Sequence, residues 1–224
     1  MRILLLFIVQ LVYVSYIFAQ DDIVLDLDSI KNIKTTRYST VNEVGVAISI
    51  GGTLIQKLPG TTKKDKLKTD KPSVMFRTVH GVLVNPHIFI GGGVGIDFLV
   101  SGNTGTSSYT ITFPIFAELR QYVLNGSFNL FFSERMGGAV FINPKLNRVG
   151  GKGTSSGAFG EFMIGGRYVT GGKKLAIHFG VGYRLQHLQK KIDIADLSVP
   201  GGIIRNIKET TIKHYIPVTI GITF

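Results

Sequence analysis

Strict alternation of apolar and polar residues marks the last eleven residues of the chain, HYIPVTIGITF. Successive side chains of an extended chain point to opposite sides, so each set occupies one face. One face holds Ile216, Val218, Ile220, Ile222 and Phe224, and the other holds Tyr215, Pro217, Thr219, Gly221 and Thr223. The pattern predicts a β-strand whose two faces meet different surroundings.

The same alternation recurs along the chain and predicts eight strands, near 43–56, 73–84, 87–100, 109–123, 127–142, 157–169, 174–188 and 210–224. Turn signals between consecutive segments predict a chain reversal after each strand, and hence an antiparallel meander. The connections alternate between long, such as KLPGTTKKDKLKTDKP, and short, such as TGGK. All long loops therefore lie at one end, and all tight turns and both termini lie at the other.

Alternation alone leaves open whether the apolar face points inward, as in a soluble barrel, or outward, as in a membrane barrel. The polar face is rich in glycine, which suits a narrow, crowded interior: Gly91, Gly93, Gly95, Gly180 and Gly182. Apolar-faced runs of about 9–11 residues match a tilted membrane strand. We therefore predict an all-β, eight-stranded, antiparallel, up-and-down transmembrane β-barrel over residues 41–224, closed by pairing of strand 210–224 with strand 43–56.

The first twenty residues, MRILLLFIVQLVYVSYIFAQ, predict a secretory signal peptide cleaved near Ala19 and Gln20, with an uncleaved membrane anchor as the alternative. Residues 21–40 are predicted to form a periplasmic N-terminal extension. The absence of cysteine excludes disulfides and thiolate metal sites. The formal charge of +11 suits nucleic acid, anionic lipid or lipopolysaccharide phosphate, or simply solubility. The predicted partners are outer-membrane lipid and lipopolysaccharide, and no nucleic acid.

The signal peptide, the eight strands, the loop rhythm and the final TIGITF resemble the small outer-membrane β-barrels of Gram-negative bacteria, the OmpA and OmpX type. The segment FPIFAELRQYV is similar to strands of the "outer membrane β-barrel domain" proteins of Bacteroidetes, a porin-family group. The resemblance implies a monomer in the outer membrane, with extracellular long loops and periplasmic termini. It also implies an assembly signal in the last strand, read by the barrel-assembly machinery: Tyr215, Ile220, Ile222 and Phe224.

Charged residues recur on the predicted inward face: Arg77, Asp97, Glu118, Arg120, Arg135, Glu161, Arg167, His178 and Arg184. Counting outward from two-residue turns places Arg77 diagonal to Asp97 and Glu161 diagonal to Arg184. It also places Glu118 diagonal to Arg135 and opposite Ser133. These charges form either a polar pathway for solutes or a salt-bridged plug, and the three opposite-sign pairs favour the plug. Glu134 falls on the lipid face unless a β-bulge near SERMGG re-aims it.

Basic residues gather in the long loops, where they would lie beside lipopolysaccharide phosphates: Lys63, Lys64, Lys66, Lys68, Lys145, Arg148 and Lys152. The alternative is a solvated loop without a partner. No catalytic or cofactor site is predicted, and none of the five histidines is followed two residues later by the serine typical of lipid A deacylases. We predict a structural or surface-interaction protein, with a narrow channel for small or apolar solutes as the alternative and a lipid A-modifying enzyme as a more distant one.

Overall fold

The computed structural model of the protein describes residues 37–58, 61–67, 69, 71–103, 106–123, 127–142, 154–170, 175–196 and 203–224. These residues form nine strands: β1 (Arg37–Leu58), β2 (Thr61–Leu67), β3 (Ser73–Asn85), β4 (Ile88–Asn103), β5 (Thr106–Tyr122), β6 (Phe128–Ile142), β7 (Thr154–Val169), β8 (Ala176–Asp196) and β9 (Ile203–Thr223). No helix among them is long and apolar enough to cross a bilayer.

Eight of the strands, β1 and β3 to β9, close into a barrel in which every strand pairs antiparallel with both neighbours. Closure is made by β1 and β9, and Thr40 and Phe224 exchange two backbone hydrogen bonds of 3.1 and 2.9 Å at its end. Closure removes the free edges that an open sheet would expose. The predicted eight-stranded antiparallel transmembrane barrel, including its first-to-last strand pairing, is confirmed.

The outer face of the barrel is apolar and the inner face is charged. Ile115, Phe179 and Ile220 are 66%, 58% and 56% exposed, whereas Arg120 and Arg135 are 0% exposed. A protein surrounded by water shows the reverse distribution. The outward face is therefore matched to hydrocarbon, and every backbone group of a closed barrel can find its partner within the wall.

Tyrosine–histidine pairs bracket the apolar band at its two ends. At the short-turn end, the Tyr38 hydroxyl lies 2.7 Å from Nδ1 of His80. At the long-loop end, the Tyr183 hydroxyl hydrogen-bonds His214. Such side chains, apolar in body and polar at the tip, suit a membrane interface. The stretch of β9 from His214 to Phe224 is the right length for an apolar band of about 25 Å in a tilted strand.

The strands extend beyond the prediction in three places. β1 begins at Arg37, and residues 37–40 pair with residues 80–83 of β3, so they belong to the wall rather than to an N-terminal extension. β2 lies within the predicted first loop. It pairs with the same edge of β1 as β3 does, beyond the membrane, because Ala47 of β1 faces Ser73 and Gly52 faces Leu67. The β8–β9 hairpin also continues, as far as the pair Asp196 and Ile203.

A β-bulge interrupts β1 at the level of the upper interface. Ser49 faces Tyr215 and Gly51 faces His214, so Ile50 has no partner in the β1–β9 register. Gly51 has a φ of 125°, a conformation that favours glycine. Because the bulge adds one residue to β1, the outward positions change from even numbers below it to odd numbers above it.

Glu134 lies on the outward face, half-buried. The β6 pairings run through it without a register shift, between Leu119 of β5 and Phe162 of β7. No bulge re-aims it, and its neighbours along the outward face of β6 are Phe132 and Met136. A carboxyl group therefore sits in an otherwise apolar patch of wall, where burial in lipid disfavours it.

Replacing Glu134 with leucine is expected to raise the free energy of unfolding by about 1–2 kcal/mol, because a charge-bearing group leaves the lipid-facing wall. Urea titration of protein folded in lipid vesicles measures the change. Gln121→Leu is the matched control, since Gln121 faces outward at the short-turn end, where polar side chains cost little. A loss of stability in Glu134→Leu alone would contradict a lipid-exposed carboxyl.

Candidate functional site

The interior of the barrel is occupied by eight charged side chains from seven strands. Period-two alternation places them inward, and none is more than 6% exposed. The set, called here the ionic network, consists of Glu43 (β1), Arg77 (β3), Asp97 (β4), Glu118 and Arg120 (β5), Arg135 (β6), Glu161 (β7) and Arg184 (β8). Four carboxylates balance four guanidinium groups, so the network carries no net charge when all are ionised.

Arg135 is the centre of the ionic network, because its guanidinium contacts three carboxylates. Its Nη2 lies 2.6 Å from Oε2 of Glu43, its Nε 3.1 Å from Oε2 of Glu118, and its Nη1 3.0 Å from Oε1 of Glu161. Hydrogen bonds between two ionised groups are among the strongest in proteins. One residue thus links β6 to β1, β5 and β7.

The other three arginines extend the network on both sides. Arg120 bridges Glu118 at 2.6 Å and Glu43 at 2.9 Å. Arg184 bridges Asp97 at 2.7 Å and Glu161 at 2.9 Å. Arg77 lies 2.6 Å from Glu161 and 3.8 Å from Asp97. Every carboxylate therefore meets at least two guanidinium groups, which offsets the cost of burying charge.

Two further partners contact the carboxylates. The Ser133 hydroxyl donates to Oε1 of Glu118 at 2.8 Å, and Nε2 of His178 lies 3.0 Å from Oε1 of Glu43. His178 belongs to β8, so Glu43 is held from β5, β6 and β8 at once. The contact with His178 thereby links Glu43 of β1 to β8, the strand next to β9.

Aromatic rings cover the arginines at both ends of the network. Toward the long loops, the Phe116 ring lies 5.7 Å from Arg77 and 5.6 Å from Arg135, and Phe159 lies 5.1 Å from Arg184. Toward the short turns, Phe131 lies 4.7 Å from Arg120. Contacts of this kind gain strength in a dry interior. Ring contacts and ion pairs therefore lie across the bore at this level.

Glycine on the inner wall makes room for these rings. A Cβ at Gly93 would lie 2.5 Å from the Phe116 ring, which is closer than side chains approach each other. The predicted glycine-rich inward face is therefore confirmed, and its cause is the bulk of neighbouring aromatic side chains in a narrow barrel.

Most of the predicted lumen residues meet in the ionic network or touch it. Arg167 does not: its guanidinium lies over the Tyr122 ring at 4.8 Å, nearer the short turns, and no ion pair with it occurs among the described residues. Glu43 is not among the predicted lumen residues, although it lies within the predicted first strand. Its parity with the inward Ala47 and Ser49 was the available signal.

Two predicted registers were wrong by two residues. Glu118 faces Arg135 directly, and Arg120 rather than Glu118 faces Ser133. Arg184 likewise faces Glu161 directly. The cause is turn size.

Two-residue turns were assumed at both hairpins. Instead, the last hydrogen bonds join Val123 to Leu130 and Thr170 to Leu175. The wider turns bring the opposite charges closer than predicted. The diagonal contact of Arg77 with Asp97 is present.

The remaining predicted residues lie elsewhere. Ile220, Ile222 and Phe224 of the predicted assembly signal face outward, whereas Tyr215 is 1% exposed inside the barrel, so the four do not share a face. Lys63, Lys64 and Lys66 lie on β2. Lys68, Lys145, Arg148 and Lys152 fall outside the described residues.

No group of histidine, aspartate and glutamate side chains within the described part of the chain is arranged to hold a metal ion. The absence of a cofactor and of catalytic activity stays a prediction.

Comparison with known proteins relates the chain to others by fold alone. No family model matches it, and no curated protein matches it by sequence. Among solved structures, the outer membrane protein OprG from Pseudomonas aeruginosa matches with a TM-score of 0.55 at 13% identity, covering 85% of this chain and 97% of that one. The shared fold is an outer-membrane barrel.

Two further structures are less similar. The outer membrane protease OmpT from Escherichia coli matches at a TM-score of 0.44 and 8% identity, over 85% of this chain and 99% of that one. Neisserial surface protein A matches at 0.39 and 12%, over 80% and 96%. These scores are too low to support a conclusion about this chain.

Replacing Arg135 with methionine is expected to lower the free energy of unfolding by about 3–5 kcal/mol, because three buried carboxylates lose their shared cation. Urea titration in lipid vesicles measures this loss. Adding Glu118→Gln to the variant should restore part of the stability, since the network becomes neutral again.

Arg167→Met is the matched control and should cost only about 1 kcal/mol, the worth of one ring contact. Equal losses in the Arg135 and Arg167 variants would contradict the central role of Arg135.

Proposed function

We propose that the protein is an integral outer-membrane β-barrel with a closed bore, which acts as a structural or surface-interaction protein rather than as a channel. The observation that carries the proposal is the ionic network. Its eight charges are buried, mutually paired and covered by aromatic rings, as a plug requires.

Ion passage through this interior would carry a high energetic cost. A permeating ion would have to separate Arg135 from carboxylates that it holds at 2.6 to 3.1 Å. Breaking a buried ion pair costs several kcal/mol. A conducting pore instead offers binding that is weak enough for release. An eight-stranded barrel is also just wide enough for side chains to fill it.

The proposed outer-membrane location is supported by several features. The first twenty residues read as an export signal, and the barrel has an apolar outer face. The fold is shared with OprG. Barrels of this class have short periplasmic turns and longer extracellular loops. We place the long loops outside the cell and both termini in the periplasm, and we assign the outward residues of β9 to recognition by the barrel-assembly machinery.

Purified protein reconstituted in planar bilayers is expected to show no steady conductance, because the ionic network and its rings occupy the bore. A wide porin reconstituted in the same way serves as the positive control. Folding is checked by the gel mobility of unheated samples. Large, stable channels from folded protein would overturn the closed bore.

Cysteine labelling tests the orientation, and the chain has no cysteine of its own. Lys64→Cys, on β2, should react with a membrane-impermeant maleimide in intact cells. Ser127→Cys, which is exposed at a short turn, should react only after lysis. The opposite pattern would place the long loops in the periplasm.

A further inference from the structure

The β1–β2 hairpin beyond the membrane sorts its lysines onto two faces. In its register, Lys57 faces Thr62, Lys64 faces Ile55 and Lys66 faces Thr53. Residues that face each other across antiparallel strands lie on the same side of the sheet, and so do residues two apart. Lys57, Lys64 and Lys66 therefore share one face, called here the lysine face.

The lysine face is the outward face of the barrel. Gly51 of β1 is paired with His214 of β9, and His214 hydrogen-bonds the lipid-facing Tyr183. Counting by twos from Gly51 leads to Thr53, Ile55 and Lys57, so these positions point the same way as His214. The three lysines thus continue the lipid-facing wall above the interface, and all three are exposed.

The opposite face of the same hairpin is electrically balanced. Lys63 lies 3.3 Å from Asp65 there. On the lysine face, no described acidic side chain forms an ion pair with Lys57, Lys64 or Lys66. The two faces therefore differ in net charge. Lys63 and Lys64 are adjacent in the chain, but Lys63 lies on the balanced face and Lys64 on the lysine face.

The backbone register adds to the accumulation of basic residues. Lys57 of β1 is paired with Lys208 of β9, and Lys208 is paired with Lys191 of β8. The register therefore places two further basic positions level with Lys57 on the neighbouring strands.

Height above the membrane identifies the source of the anion. The lysines lie level with residues two to six positions beyond the His214 level. At about 2.5 Å of height per residue in a tilted strand, they span about 5–15 Å above the apolar band. The polar headgroups of a bilayer begin in this layer.

We propose that the lysine face binds the phosphorylated headgroup of lipopolysaccharide in the surrounding leaflet. The proposal rests on the outer-membrane location given under Proposed function. It also revises the set of lysines that the sequence predicts to contact lipopolysaccharide. Lys57 joins the set, and Lys63 leaves it because Asp65 already pairs with it on the other side. The ligand approaches laterally, along the wall, rather than from above the loops.

The decisive experiment compares Lys64→Gln with Lys63→Gln, two variants that remove the same charge from adjacent residues. Binding of fluorescent lipopolysaccharide to protein in phosphatidylcholine nanodiscs is measured for each. We expect about fivefold weaker binding for Lys64→Gln, as one lysine near an anionic surface contributes. Lys63→Gln should bind as the parent does. The triple change K57Q/K64Q/K66Q should weaken binding by about a hundredfold.

Dephosphorylated lipopolysaccharide is the control ligand and should bind parent and triple variant alike. Equal weakening by the Lys63 and Lys64 variants, or no weakening by either, would overturn the lysine face. This outcome is distinguishable from failure of the proposed function. The binding assay is independent of conductance and of cell location, whereas the bilayer and labelling experiments do not involve lipopolysaccharide affinity.

Discussion

Charge neutralisation inside a narrow barrel is the constraint on which the rest of this structure depends. A wall that turns its apolar residues toward lipid must turn its polar ones inward, where little water remains to solvate them. The charges neutralise one another: Arg135 forms ion pairs with three carboxylates, and each of those carboxylates forms an ion pair with at least one more arginine. Seven of the eight barrel strands are joined by these contacts, so the interior also acts as a cross-brace for the wall.

This arrangement explains the uneven character of the two faces. Inside, aromatic rings need glycine opposite them, as Gly93 is needed beneath Phe116. Outside, side chains meet fluid lipid and need only be apolar, so their sizes vary freely. Glu134 departs from that rule without any described counter-charge, whereas every carboxylate of the ionic network is paired. The contrast shows how strictly the interior enforces pairing.

Strand number, facing and closure follow from the sequence because each depends on the period-two pattern and on the order of turns. Features that depend on the exact number of residues in a turn do not follow from the sequence. The hairpin at Val123 and Leu130 is wider than a two-residue turn, and no composition signal measures that width. β2 carries too many lysines to resemble a strand, yet it forms because β1 offers it backbone partners beyond the membrane. The ion pairs between distant strands, such as Arg120 with Glu43, required the closed barrel itself.

The bulge at Gly51 separates two independently phased halves of one strand. Below the bulge, the even-numbered residues of β1 face lipid, whereas above it the odd-numbered residues face outward. Loss of that single inserted residue would turn the upper half by one step, exchanging its cationic side for its neutral one while leaving the membrane wall intact. The composition of the hairpin would be unchanged, yet its outward face would lose its positive charge. Length changes at this point of the chain therefore preserve the surface only when residues are gained or lost in twos.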